Sequence, residues 1–289
     1  MTWAEYVRWL VEEHGSLAAV AQKAAGTTRD AASVERALRR LRAKKSGDGG
    51  DWGRRLLRAF GLPKGTSDRL EWMGVYHSRF ADLPVELCLD QLRAWSRPPV
   101  SESPARIWLL LGLAACALRQ ADLDAAERHL AEARAVGHPP PRARLELGLV
   151  EAYLASKRGR PPALDALGPL VEEVGDPCFT ARWLDQRAYG QAPKTARLLY
   201  GQISGAAPFA ACKRHGGLAW VCWREGDTER AVEHAEAAIR HAGDGGFTRL
   251  RLTHLGLLAH ITGDAAVRER AVRAAEHLGD PELAARLAR

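Results

Sequence analysis

The stretch that decides the fold is Ile107–Pro139, IWLLLGLAACALRQADLDAAERHLAEARAVGHP. Leu110, Leu113, Ala114 and Ala117 fall at helical spacing on one side of a first segment. Ala121-Asp122 marks a turn, and Ala126, Leu130 and Ala133 mark the apolar side of a second segment. The spacing predicts two amphipathic helices folded back on each other. The skeleton returns with Leu218, Ala219 and Cys222, then Gly226-Asp227, then Ala231, Ala235 and Ala238, and again around Gly263-Asp264.

Equivalent turn positions fall at Ala81, Ala121, Lys157, Gln191, Gly226 and Gly263, a spacing of 34 to 40 residues. Small residues such as Ala126, Ala196 and Ala231 would let paired helices approach closely, while Pro98, Pro139 and Pro208 are expected to close units. The glycine–acid turn, following alanine and closing proline resemble the tetratricopeptide repeat over about three quarters of the chain. That resemblance implies a right-handed all-α solenoid of five to six helix pairs over residues 67–289, with a concave surface that binds a peptide or protein. Placed on that geometry, Arg79, Trp108, Leu111, Arg119, Arg144, Glu151, Asp185, Tyr189, Trp220, Trp223 and Arg224 face inward. Of these, Arg79, Arg119, Asp185, Tyr189, Trp220, Trp223 and Arg224 are the candidate ligand residues. Aromatic faces beside guanidinium groups suit a peptide with an acidic group. Packing between neighbouring units is the competing explanation for Trp108 and Trp220.

Charge is distributed unevenly. Residues 1–70 hold 14 Lys/Arg against 8 Asp/Glu, whereas the remaining residues hold 28 against 27. The net charge of +7 therefore belongs almost entirely to the N-terminal segment, which points to an acidic partner, nucleic acid above all. In that segment the periodicity predicts helices over Trp3–His14, Leu17–Ala25, about Ala31–Lys45 and Trp52–Phe60, with a turn at Gly26–Asp30 and a loop at 46–51.

The order of these helices, with LAAVAQKAAG at 17–26 and WGRRLLRAFGLP at 52–63, resembles a helix-turn-helix module of the Cro and phage-repressor type over residues 1–66. Val34 lies eight positions after Gly26, where the family's pattern has about six. The resemblance implies that the helix after the glycine enters the major groove. Val34, Ala37, Leu38 and Leu41 would then face the core, with Arg36, Arg39 and Arg40 opposite. Thr28, Arg29 and Ser33 would lie at the helix start, where hydroxyls and free amides meet phosphates. The two resemblances together imply a peptide-sensing transcription regulator that binds double-stranded DNA, as a homodimer. A scaffold that binds proteins at both ends is the alternative, and RNA is a third possible partner of the basic helix.

Other classes have little support in the sequence. Nucleophile-elbow, P-loop, zinc-protease and dinucleotide-binding motifs are all missing, so an enzyme, a cofactor or a metal is not expected. His129, His234 and His277 are expected on polar helix faces. The five cysteines are scattered, with Cys116 and Cys222 at core positions. Ile107–Leu118 is too short to span a bilayer, and MTWAEYVRWLVEEHG has no leader-like apolar run. The expected location is the cytoplasm.

Overall fold

Alanine and leucine at helical spacing, broken by proline and glycine–aspartate pairs, leave little opportunity for extended backbone. The computed structural model describes residues 1–25, 31–44 and 47–289, and among these residues it contains helices and no strand. The first five helices are α1 (Trp3–His14), α2 (Leu17–Ala25), α3 (Ala31–Ala43), α4 (Gly50–Phe60) and α5 (Lys64–Gly74). A ten-residue segment follows, with a short 3-10 turn at Arg79–Asp82, before α6 (Val85–Trp95). Then come α7 (Arg106–Arg119), α8 (Leu123–Arg134), α9 (Pro141–Lys157), α10 (Gly168–Val174), α11 (Pro177–Ala188) and α12 (Pro193–Gly201). The chain closes with α13 (Pro208–Arg224), α14 (Thr228–Asp244), α15 (Thr248–Thr262), α16 (Ala265–His277) and α17 (Pro281–Leu287).

Among the described residues, aspartates start five of these helices. Asp122, Asp176, Asp227, Asp264 and Asp280 accept from the backbone N–H of Ala125, Cys178, Arg230, Val267 and Leu283, at 2.8 to 3.2 Å. Each satisfies an amide that the first helical turn leaves unpaired, worth about 1 kcal/mol. Four of the five follow a glycine at positive φ (Gly175, Gly226, Gly263 and Gly279), and Ala121 takes the same left-handed conformation before the fifth. Glycine is favoured there because a Cβ strains the backbone. Pro208 opens α13 instead of closing a unit. Proline fits the first helical position, where its missing N–H costs nothing.

Successive helices pack as neighbours from α7 to α17, and the α13–α14 pair is the most extensive. Ala126, Ala196 and Ala231 are fully buried where helices meet. The unit expected around Ala81 is not two helices joined by a turn. Instead α5 and α6 flank residues 75–84, a segment that threads between other helices. Around Lys157, the last residue of α9, the chain makes a long turn before the short α10. The C-terminal α17 packs against α7 as well as α15 and α16, burying Leu283, Ala284 and Leu287.

The first four helices have a separate core of Trp3, Tyr6, Val7, Leu10, Val20, Val34, Leu38, Leu41, Leu56 and Leu57. Met1 and Leu62 touch both this core and the next, and the Gly49 N–H donates to Glu102 at 2.9 Å. Helix α5 crosses the 66/67 boundary inferred from the sequence: Gly74 lies against the backbone of Trp108 in α7.

Candidate functional site

Two groups of residues stand out, a basic helix face near the N-terminus and a polar seam inside the helical array. On α3 the apolar side is buried to 5% exposure or less at Val34, Ala37, Leu38 and Leu41. The polar side carries Arg36, Arg39 and Arg40 in solvent. Arg39 pairs with Glu35 at 2.7 Å while keeping 65% of its side chain exposed, and Arg36 donates to Ser33 Oγ at 2.7 Å. Thr28 and Arg29 lie outside the described residues. Helix α4 adds a row that the sequence reading did not single out. Arg54, Arg55 and Arg58 are all exposed, with Arg54 beside Asp51 at 2.7 Å and Arg55 over the Trp52 ring at 5.1 Å.

The polar seam is built around residues 75–84. Val75 and Phe80 are buried and anchor the segment. Between them the Tyr76 N–H donates to Glu146 Oε1 of α9 at 3.2 Å. Glu146 is fully buried and pairs with Arg182 of α11. The Arg182 guanidinium lies 4.8 Å over the Tyr76 ring and 3.5 Å from His77 Nδ1. Farther along, Asp82 accepts from the Arg249 N–H of α15 at 2.7 Å. The Arg249 side chain covers Tyr76 at 5.6 Å and donates to Asp280 at 2.6 Å. Asp280 is fully buried and also takes Arg119 Nε at 3.0 Å. Arg119 Nη2 donates to Leu83 O at 2.9 Å. Lys213 of α13 pairs with Asp185 of α11 at 2.7 Å.

The electrostatics follow from this crowding. Burial raises the Tyr76 phenol, but Arg249, Lys213, Arg286 and Arg182 outweigh it and hold the group below its ordinary value. Burial pushes Asp82 upward, although Arg249 opposes the shift. His77 is driven down to about 3 by burial, with Arg182 and Arg142 adding repulsion, so its imidazole is neutral in the folded protein. His254, 7% exposed, is held at about 3 for the same reason, with Lys213 and Arg286 contributing. A cavity of about 20 Å³ lies beside the segment, lined by Tyr76, Ser78, Asp82, Arg249, Thr253 and Arg286 among others. It exceeds the roughly 10–15 Å³ that one water molecule needs.

The candidate ligand residues therefore divide. Arg119, 3% exposed, is an internal partner of Asp280, and Asp185 is committed to Lys213. Arg79 is exposed and its stem runs past Gly246. Tyr189 is 78% exposed at the end of α11. In the last turns of α13, Arg224 lies over the Trp220 ring at 5.1 Å, and Trp223 meets His260 edge-on at 4.6 Å. Trp108 and Leu111 are core, Arg144 pairs with Glu173, and Glu151 pairs with Arg134. His234 stands 3.1 Å from His215, and His129 is half-buried, so neither is a simple solvent-facing histidine.

Tyr76, Glu146, Arg182, Arg249 and Asp280 were not legible as a group, because their hydrogen-bond partners lie as much as 167 residues apart. One signal was present: glycine–aspartate recurs at 175–176 and 279–280 as it does at 226–227. No helix among the described residues is long and apolar enough to cross a membrane. No family model, curated protein or solved structure matches the chain.

Proposed function

We propose that the chain is a DNA-binding transcription regulator. In this reading a helix-turn-helix-like head of residues 1–66 is followed by a tetratricopeptide-like solenoid that binds a peptide or protein effector. The observation that carries it is the two-sidedness of α3, which buries four apolar residues and exposes Arg36, Arg39 and Arg40. Helix α4, which packs against α3, also exposes Arg54, Arg55 and Arg58. Guanidinium groups on a helix of this kind suit phosphates and guanine edges.

The effector surface in this reading is the set formed by Tyr189, Trp220, Trp223 and Arg224, at the ends of two helices that pack together. Asp185 joins α11 to α13 through Lys213, whereas Arg119 holds Asp280 elsewhere in the array. Two heads joined as a homodimer would read two half-sites.

The test is fluorescence anisotropy of a mixed-sequence duplex with the full chain at 50 and 200 mM salt. Three arginine–phosphate contacts predict about a 40-fold loss of affinity across that fourfold change, from a slope near −0.9 per contact. Arg39→Glu with Arg40→Glu should reduce the slope by about 2 and leave the far-ultraviolet spectrum unchanged, because both side chains are exposed. Duplex binding unaltered by that double change refutes the assignment of α3. No duplex binding at either salt concentration favours the protein scaffold instead.

A further inference from the structure

We propose that His77, Asp176 and Cys178 form a binding site for a transition-metal dication of the zinc class, which clips residues 75–84 to the N-terminus of α11. One imidazole nitrogen, one carboxylate oxygen and the thiol sulfur lie within 4.8 Å of one another, and all three residues are half-buried. A tetrahedral zinc ion, with bonds of about 2.0–2.3 Å, brings such atoms to roughly 3.3–3.8 Å apart. Side-chain rotation alone supplies the difference. An imidazole with a thiolate selects zinc or cobalt over magnesium and calcium, which prefer all-oxygen sets.

Two of the ligands have protein partners that a metal would displace or share: both Asp176 oxygens accept hydrogen bonds, and His77 Nδ1 lies 3.5 Å from Arg182. Phe179 at 4.6 Å and Phe209 at 5.2 Å flank the His77 ring. Asp176 Oδ1 accepts from the Cys178 N–H at 2.8 Å, which places the carboxylate and the sulfur on one side of the helix start. Two arginines lie nearby, and each has an acid of its own. Arg142 donates to Glu71 at 2.7 Å besides Asp176 at 2.9 Å, and Arg182 is paired with Glu146. Asp176 Oδ2 can therefore turn to a metal while Arg142 keeps Glu71. Glu71, Glu146 and Asp176 outnumber the two arginines by one, and the thiolate makes the surplus two, which a dication neutralises. Binding releases the Cys178 thiol proton to solvent, and water completes the fourth position. The other four cysteines are buried, so Cys178 is the thiol that added reagents reach.

The full-length chain, stripped with chelator, is titrated with Co²⁺ alone and watched for a sulfur-to-cobalt charge-transfer band together with tetrahedral d–d absorption. Zinc retained after dialysis is measured by elemental analysis. The expected results are one metal per chain, a cobalt spectrum with sulfur character, and protection of Cys178 from alkylation by zinc. Cys178→Ser should abolish the charge-transfer band. His77→Gln should weaken binding by more than the roughly 10–100-fold typical of outer partners. If a variant misfolds, Cys178 alkylation of the unaltered chain with and without zinc still decides. Failure of the unaltered chain to retain zinc, a cobalt spectrum without sulfur character, or equal retention by Cys178→Ser overturns the proposal. None of these readouts depends on DNA.

Discussion

Replacing Asp280 by asparagine removes one negative charge from a point where two arginines meet it. The carboxylate is fully buried, with Arg119 Nε at 3.0 Å and Arg249 Nε at 2.6 Å, and these side chains are 3% and 11% exposed. Asparagine is nearly isosteric, and its carbonyl can still accept from the Leu283 N–H, now held at 3.0 Å. The substitution therefore isolates the charge from the cap. Taking away one partner of a buried ion pair costs about 3–5 kcal/mol, because the remaining charge stays desolvated. Arg119 keeps its bond to Leu83 O, which favours the lower end, about 3 kcal/mol. At about 2–4 °C per kcal/mol, that is a fall of roughly 6–12 °C in melting temperature. Asp280→Ala should cost about 1 kcal/mol more by losing the cap. Hydrogen exchange should localise the effect, since residues 281–287 pack on α7 through this contact and would exchange faster than α13 or α14. Replacing Asp280, Arg119 and Arg249 together by apolar residues should recover much of the loss, because well-packed apolar groups often match a buried ion pair. A drop below about 1 kcal/mol for Asp280→Asn, with unchanged exchange in α17, would mean that the seam does not fasten the C-terminus.

Two further outcomes follow from packing and from protonation. A Cβ on Gly74 would stand 2.8 Å from Trp108 Cα and 2.9 Å from its carbonyl carbon, both backbone atoms that cannot turn aside. Gly74→Ala should therefore lose about 1–3 kcal/mol, whereas Gly65→Ala in the same helix meets nothing within 4 Å and should be neutral or stabilising by up to about 1 kcal/mol. Equal melting temperatures for the two variants would rule out the close α5–α7 contact. His254, held at about 3 by burial, is neutral when folded, while the unfolded chain binds its proton near pH 6.5. The unfolded state thus holds more protons between these values, and stability falls as pH drops from about 6.5 towards 3. The slope from this one group is at most about 1.4 kcal/mol per pH unit. Urea midpoints measured from pH 7 to pH 4 should decline less steeply for His254→Leu than for the unaltered chain, and parallel curves would discard the idea.

Much of the local structure was legible because it depends on neighbours in the chain. Helices α1 and α2 have the spans that periodicity predicts, and α3 ends at Ala43, two residues short of the expected Lys45. Val34, Ala37, Leu38 and Leu41 were assigned to the core from spacing alone, and all are buried. Cys116 and Cys222 are core thiols for the same reason. The reading failed at Pro208, where helix stop and helix start share a signal, and around Ala81, where a turn pattern lies in a segment that is not a helical hairpin. It also gave Arg119 to a ligand surface. A helix wheel shows which side of α7 the residue occupies and cannot show that Asp280 lies against that side.

The sequence by itself determined an all-helical chain, several of its helix boundaries, and a basic N-terminal segment with arginines opposite an apolar stripe. Those properties follow from residue spacing, capping chemistry and charge count, all of which act within a few turns of backbone. Only the tertiary structure decided that residues 75–84 run between the helices, that Asp280 gathers Arg119 and Arg249, and that His77 meets Asp176 and Cys178 across about a hundred residues. Such contacts depend on how distant helices stack, and burial then turns each of them into a strong interaction by excluding water.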